Sequence, residues 1–146
     1  MAISQAMCTS FKIALLDGEM DFSSNTSQTF KIALYTSSAS LDATTTAYTT
    51  SNEVANGNGY ATGGNTLTIS TNPTNGSSGT TAFLDFTNTV WTNASITARG
   101  ALIYQVGVGN PAVAVLDFGA DKTSTAGDFT VQFPAGDATN AIIRIA

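Results

Sequence analysis

The residues able to do chemistry are few, and most stand in loops. Asp17, Glu19 and Asp21 form one acidic group in "DGEMD"; Asp117, Asp121 and Asp128 form another around "DFGADK". Oxygen-rich loops of this kind can hold Ca²⁺, but neither follows the order of an EF-hand loop. Paired carboxylates could also cleave a glycosidic bond across a cleft, although Trp91 is the only tryptophan available to stack on a sugar. Cys8 is the single cysteine, and the chain has no histidine to act as its base. A small buried apolar role suits it better, as for most free cysteines. Lys31, with Glu53 or Asp85 as the neighbouring acid, could condense into an isopeptide cross-link. A solvated lysine on a half-exposed strand is the plainer reading. The glycine runs "GNGYATGG" and "GVGNP" lack the G-x-G-x-x-G spacing and the strand-then-helix setting of a phosphate loop. "DFG" stands without any other kinase element and reads as a strand end. No catalytic residue, metal ligand or cofactor is therefore assigned, and an enzyme is not expected.

The elements that would position these groups follow from composition. A chain of 146 residues suffices for one domain with a sizeable core. Charged residues make up 10%, against roughly 25% in an ordinary soluble domain. Ser, Thr, Asn and Gly take the place of the Glu, Lys, Gln and Arg that build helical surfaces. That favours an all-β domain. The five basic residues are scattered through a chain of net charge −5, so no phosphate-binding patch forms and nucleic acid is not an expected partner. The low charge points instead to a surface partly covered by other subunits. No apolar run approaches the roughly 18 residues of a membrane span. The start, "MAISQAMCTS", lacks the charged-then-apolar order of a signal peptide.

The pentapeptide "FKIAL" occurs twice, at residues 11–15 and 30–34. Around the first copy Met7, Phe11, Ala14 and Leu15 recur at helical spacing. Ser4 could cap the start and Gly18 could close the end in the left-handed conformation. The reading is a short helix over residues 5–17. The second copy lies between Ser/Thr/Asn clusters at strand spacing, with Phe30, Ile32 and Leu34 alternating against Lys31, Ala33 and Tyr35. A duplicated β-unit stays open as the alternative, because Phe11, Ile13 and Leu15 also alternate.

After Tyr35 comes a long Ser/Thr/Gly/Asn loop, residues 36–64, anchored by Leu41, Tyr48, Val54 and Tyr60. Loops of this length carry function or cover a neighbour. Strand candidates then follow at 65–71, 81–87, 89–93, 99–106, 112–119, 128–134 and 140–146. Turn signals at 72–79, 107–111, 120–127 and 134–140 separate them. This pattern predicts an antiparallel β-sandwich, jelly-roll or immunoglobulin-like, with a short N-terminal helix. Phe83, Trp91, Leu102, Tyr104, Val113, Val115, Phe118, Phe129, Val131, Phe133 and Ile143 would fill its core. The division expected is a helical arm at 1–22 and a sandwich at 23–146.

Three blocks carry a resemblance. "SQAMCTSFKIALLDGEMDF", residues 30–67 from "FKIALYTSSASLDATTTAYTTSNEV" onward, and "ARGALIYQVGVGNPAVAVLDFGADKTSTAGDFTVQFP" resemble a family of tailed-bacteriophage virion proteins. Together they cover most of the chain. One departure is visible: "DGEMDF" lacks the histidine usual in the family at that place, so a metal role there loses its support.

The resemblance implies a non-enzymatic structural protein. The chain lacks the heptad or β-helical repeats of a full tail fibre. It also lacks the length and mixed α/β pattern of a major capsid protein. The implied role is capsid decoration, or cement: binding the outer surface of the icosahedral shell, as a homotrimer where capsomers meet. The major capsid protein would be the partner, and the virion surface the location, after synthesis in the bacterial cytoplasm. Met7, Phe11, Leu15, Leu41, Tyr48 and Tyr60, from the N-terminal segment and the long loop, are the expected contact residues. Removal of residues 1–10 is expected to abolish shell binding and leave the sandwich folded. The alternative is a neck, tail or baseplate component, or a small host-attachment domain. An exposed aromatic cluster of Tyr48, Tyr60 and Trp91 would favour glycan or receptor contact.

Overall fold

The structure, a computed structural model, describes residues 2–77 and 79–146. Met1, in the expected N-terminal segment, and Ser78, in the expected turn 72–79, lie outside the described residues. The elements run β1 (Ala6–Met7), α1 (Thr9–Leu16), β2 (Thr29–Tyr35), β3 (Asn65–Thr66), β4 (Ile69–Thr74), β5 (Ala82–Phe86), β6 (Thr89–Ala94), β7 (Thr97–Val106), β8 (Ala112–Thr123), β9 (Gly127–Val131) and β10 (Ile143–Ile145). They form an all-β, sandwich-like fold with one short helix. A five-stranded sheet has the order β1-β8-β7-β2-β3, a three-stranded sheet the order β10-β5-β4, and β6 pairs with β9. Every strand pairing is antiparallel.

The two copies of FKIAL take different structures. Phe11–Leu15 is helical and Phe30–Leu34 lies in β2. The helix is shorter than the spacing predicts. Ala6 and Met7 pair with Val115 and Ala114 of β8, so the sheet claims the residues that would have formed its first turn. Cys8, not Ser4, occupies the N-cap, with no side-chain cap bond. The C-terminal end follows expectation. Gly18 has φ +72°, its N–H donates to Leu15 O, and the N–H of Glu19 donates to Ala14 O. This is a Schellman closure, which a residue with a Cβ would strain.

Strand boundaries move for local reasons. β4 runs through Pro73 because it is an edge strand, where the missing N–H costs no ladder bond. β8 runs into the expected turn because Lys122 and Thr123 pair with Ala98 and Thr97. The turn is left to Ser124, Thr125 and Ala126, the last at φ +46°.

Phe22 joins the layers. Its ring stacks on Phe30 of β2 at 4.3 Å, and meets Phe11 of α1 at 5.9 Å and Phe86 of β5 at 6.4 Å. Phe86 continues to Phe133 at 5.7 Å. Of the expected core residues only Phe118 is half-exposed; the rest are buried. The segment expected to be an arm contributes to the core of the strands. Ile3, Cys8, Phe11, Ala14, Met20 and Phe22 are buried in the same core as the strands. Ile3 packs against Gly100 of β7, where a Cβ would come within 2.9 Å of its methyls. Removing residues 1–10 would therefore open the core, and would not give a clean test of binding.

Candidate contact surface

The long loop lies folded back on the large sheet. It begins where β2 ends: Thr36 N–H donates to Asn52 O, and Val54 N–H donates to Leu34 O. Leu41 bridges to Ile3 in parallel, and Ala47 bridges to Pro111 in antiparallel. This cover explains a departure from the expected alternation in β2. Ala33 and Tyr35 are as fully buried as Ile32 and Leu34, because the loop closes the second face.

Glu53 holds the loop. Its Oε1 accepts hydrogen bonds from Tyr60 Oη at 2.6 Å and from the Gly63 N–H at 2.7 Å. Its Oε2 accepts one from Tyr48 Oη at 2.7 Å. Tyr104, reaching across from β7, donates to Gly63 O at 2.7 Å, and Tyr35 donates to Thr49 O at 2.6 Å. The chain has four tyrosines, and all four hydroxyls act on this loop. Burial, above all, raises the pKa of each of them, and hydrogen bonding to Glu53 adds to the rise for Tyr48 and Tyr60. The exit of the loop is fixed by Gly64 at φ +73°, where a Cβ would overlap the carbonyl of Ile32.

The candidate chemistry resolves into structural roles. Lys31 Nζ and Tyr104 Oη both lie beside Gly63, each 3.4 Å from where a Cβ on that residue would stand. Among the described residues the ion pair found is Arg99 with Asp117 at 3.5 Å, so Lys31 does not pair with Glu53, and Asp85 lies in a different sheet. Among the described residues, then, neither acid stands as an ion-pair partner of Lys31. Cys8 is fully buried, and burial, with Asp42 repulsion second, pushes its thiol up to about 11. A thiol held that high is protonated near neutrality and is a poor nucleophile. Asp21 accepts the Ser23 N–H and Asp117 accepts the Gly119 N–H, both as turn caps. Among the described residues no group of three or more Cys, Asp or Glu is placed to hold a metal ion.

Of the expected contact residues, Phe11, Leu41 and Tyr60 are buried in the chain's own core. Met7, Leu15 and Tyr48 are half-buried against it, Tyr48 stacked on Tyr104 at 4.5 Å. Trp91 is also buried, between Tyr60 and Phe129. The aromatic cluster is thus internal, and the argument it would have given for sugar or receptor contact is removed. Two other surfaces are exposed. One is the outer side of the 36–64 loop, where Thr49, Thr50, Ser51, Asn52, Asn56 and Thr62 face solvent and Asp42 is the exposed charge. The other is apolar: Ile13 and Leu16 of α1 and Ile145 of β10 are 55%, 90% and 53% exposed. Sequence reading passed over Ile13 and Leu16 because the first FKIAL copy fits either period. It named Glu53 only as a neighbour of Lys31. The signal available was a lone glutamate between two tyrosines in a loop whose other charged residue is Asp42.

Compared with known protein families, curated proteins and solved structures, the chain finds no match.

Proposed function

We propose that this chain is a non-enzymatic structural protein of a tailed-bacteriophage virion. Its role is capsid decoration: it binds the major capsid protein on the outer face of the shell, across the joints between capsomers. The three sequence blocks that resemble such virion proteins support the family. The observation that carries the role is the long loop, whose Ser/Thr/Asn-rich outer surface, with Asp42 as its exposed charge, is tied down from beneath by Glu53 and four tyrosine hydroxyls. A surface ordered before binding loses little further entropy on contact. Ser, Thr and Asn side chains supply adaptable hydrogen bonds without the cost of desolvating charge. A protein that binds only the assembled shell stabilises that state by mass action.

The competing placement is the neck, tail or baseplate, on which a β-sandwich serves equally well. Copy number separates the two. Quantitative mass spectrometry of purified virions should find this chain in numbers comparable to the major capsid protein. A small fraction of that number would put it at the tail or a unique vertex, and the decoration role would be abandoned.

A further inference from the structure

The chain carries three Asn-Gly pairs: Asn56-Gly57, Asn58-Gly59 and Asn75-Gly76. Such a pair has a reaction of its own. Asparagine is thermolabile, and a glycine after it has no Cβ to hinder the approach of its nitrogen to the asparagine amide carbon. As dipeptides the three are equivalent. The fold separates them.

The first two pairs are built into the long loop. Gly57 N–H donates to Tyr60 O at 2.8 Å, and Tyr60 N–H returns a bond to Gly57 O at 3.0 Å. Asn56 Oδ1 accepts the Thr62 N–H at 3.2 Å. Asn58 O accepts the Ser95 N–H, one residue beyond β6, at 2.8 Å. Gly59 lies against Ala94 of β6, where a Cβ would come within 2.7 Å of the Ala94 Cα. The next residue, Tyr60, is buried and bonded to Glu53. Turning either glycine nitrogen toward the side chain before it would disturb these contacts.

The third pair stands in the turn between β4 and β5, where residues 72–77, 79 and 80 are all exposed. Gly76 has φ +53°, and its N–H donates to Thr74 Oγ1 at 2.9 Å. Asn75 Nδ2 donates to Gly79 O at 3.5 Å, the long limit of hydrogen-bond geometry. Both bonds close within residues 74–79, so rearranging them leaves the ladder between β4 and β5 in place.

We propose that Asn75 is a site of spontaneous deamidation in the folded chain, while the fold protects Asn56 and Asn58. The Gly76 nitrogen gives up its proton and attacks Asn75 Cγ. The new N–Cγ bond closes a succinimide ring, the Cγ–Nδ2 bond breaks, and ammonia leaves with the proton. Water then opens the ring. Addition at Cγ gives aspartate, and addition at the main-chain carbonyl gives isoaspartate. Either product adds one negative charge to a chain of net charge −5. The isoaspartyl product also lengthens the main chain of the turn by one methylene. The first step removes a proton, so the rate rises with pH. The reaction is a property of the isolated chain and does not rest on the virion reading.

The test is to age the purified full chain at mildly alkaline pH, below the onset of unfolding, in water enriched in heavy oxygen. Each conversion then carries one heavy atom. Cleavage after aromatic residues puts Asn75 on a different peptide from Asn56 and Asn58, because Tyr60 stands between them. Mass spectrometry should show Asn75 converting at least about tenfold faster than the other two, which react only through local opening. In denaturant all three should convert at comparable rates. Isoelectric focusing should show an acid-shifted form accumulating in the wild type and absent from Asn75→Gln. That side chain is exposed, so circular dichroism should show the variant folded. Native conversion at Asn56 or Asn58 as fast as at Asn75 would overturn the proposal. So would the same preference for Asn75 in denaturant, or an acid-shifted form that persists in Asn75→Gln.

Discussion

Tyr60 donates a 2.6 Å hydrogen bond to Glu53 Oε1, and the same phenolic oxygen accepts the backbone N–H of Leu34 at 3.0 Å. One buried tyrosine thus connects the loop's carboxylate to the middle of the large sheet. Hydrogen bonds to a charged acceptor contribute more than neutral ones, about 1.5–3 kcal/mol each. Their loss also leaves buried donors without partners.

Replacing Glu53 by Ala should therefore cost about 3 kcal/mol. Amide exchange at Gly63, whose N–H loses its acceptor, should accelerate about a hundredfold, the same energy expressed as a rate. Tyr48→Phe removes a single bond and should cost about 1–2 kcal/mol. Exchange at Gly63 that stays slow in Glu53→Ala would show that the loop is held by its other backbone pairings.

The tyrosines also fix an alkaline limit. Each has a pKa raised above its ordinary value in the folded chain, chiefly by burial. The folded state therefore holds these protons more tightly than the unfolded state. Their contribution to stability is complete below the unfolded pKa of about 10 and is lost as pH rises toward the folded values. Phenolate absorbance should stay absent in the native chain above pH 10 and then rise together with unfolding. A smooth rise near pH 10 with the fold intact would contradict the buried network.

Much of this architecture was legible in the sequence, and the parts that were not share one cause. Phe11 and Phe30 head identical pentapeptides, and their flanking residues favoured a helix for the first copy and a strand for the second while leaving a duplicated β-unit open. The core strands were legible because β7 and β8 are long apolar runs bounded by turn residues. The burial of Ala33 and Tyr35 was not, because the cover comes from a loop that returns to the sheet through contacts distant in sequence. The exposure of Leu16 was hidden for a similar reason. Which face of α1 is buried depends on Phe22 and β8, which no periodicity within the helix reports.

Asp85 gives a test with the opposite sense to most carboxylates. It is fully buried in β5, and burial raises its pKa, while the N–H groups of Phe86 and Ile142 oppose the rise and Asp137 adds to it. An acid whose folded pKa is raised destabilises the fold once pH exceeds its unfolded value. The penalty grows as pH rises through the folded pKa and is complete above it. Asp85→Asn should raise Tm at pH 7 and lose that advantage below about pH 4, where the unfolded carboxyl is also protonated. A lower Tm for the variant at pH 7 would mean that the two backbone bonds outweigh the burial cost.

Cys8 reports whether residues 2–22 open apart from the strands. Its side chain is completely buried, its N–H donates to Val113 O of β8 at 3.0 Å, and its thiol is held near a pKa of about 11. Reaction with a thiol reagent needs both exposure and a thiolate, so the native rate near pH 8 should be negligible. The segment shares the core through Phe11 and Phe22, so exposure should require opening of the whole domain. Labelling should then proceed with the free energy of global unfolding, and each destabilising variant should accelerate it in step with its loss of stability. Phe22→Leu, which weakens the ring contacts to Phe11, Phe30 and Phe86 together, should accelerate labelling by the factor that corresponds to its loss of global stability. Fast labelling of the native wild type, at a rate unmoved by denaturant below the transition, would instead define the N-terminal segment as a unit that opens alone.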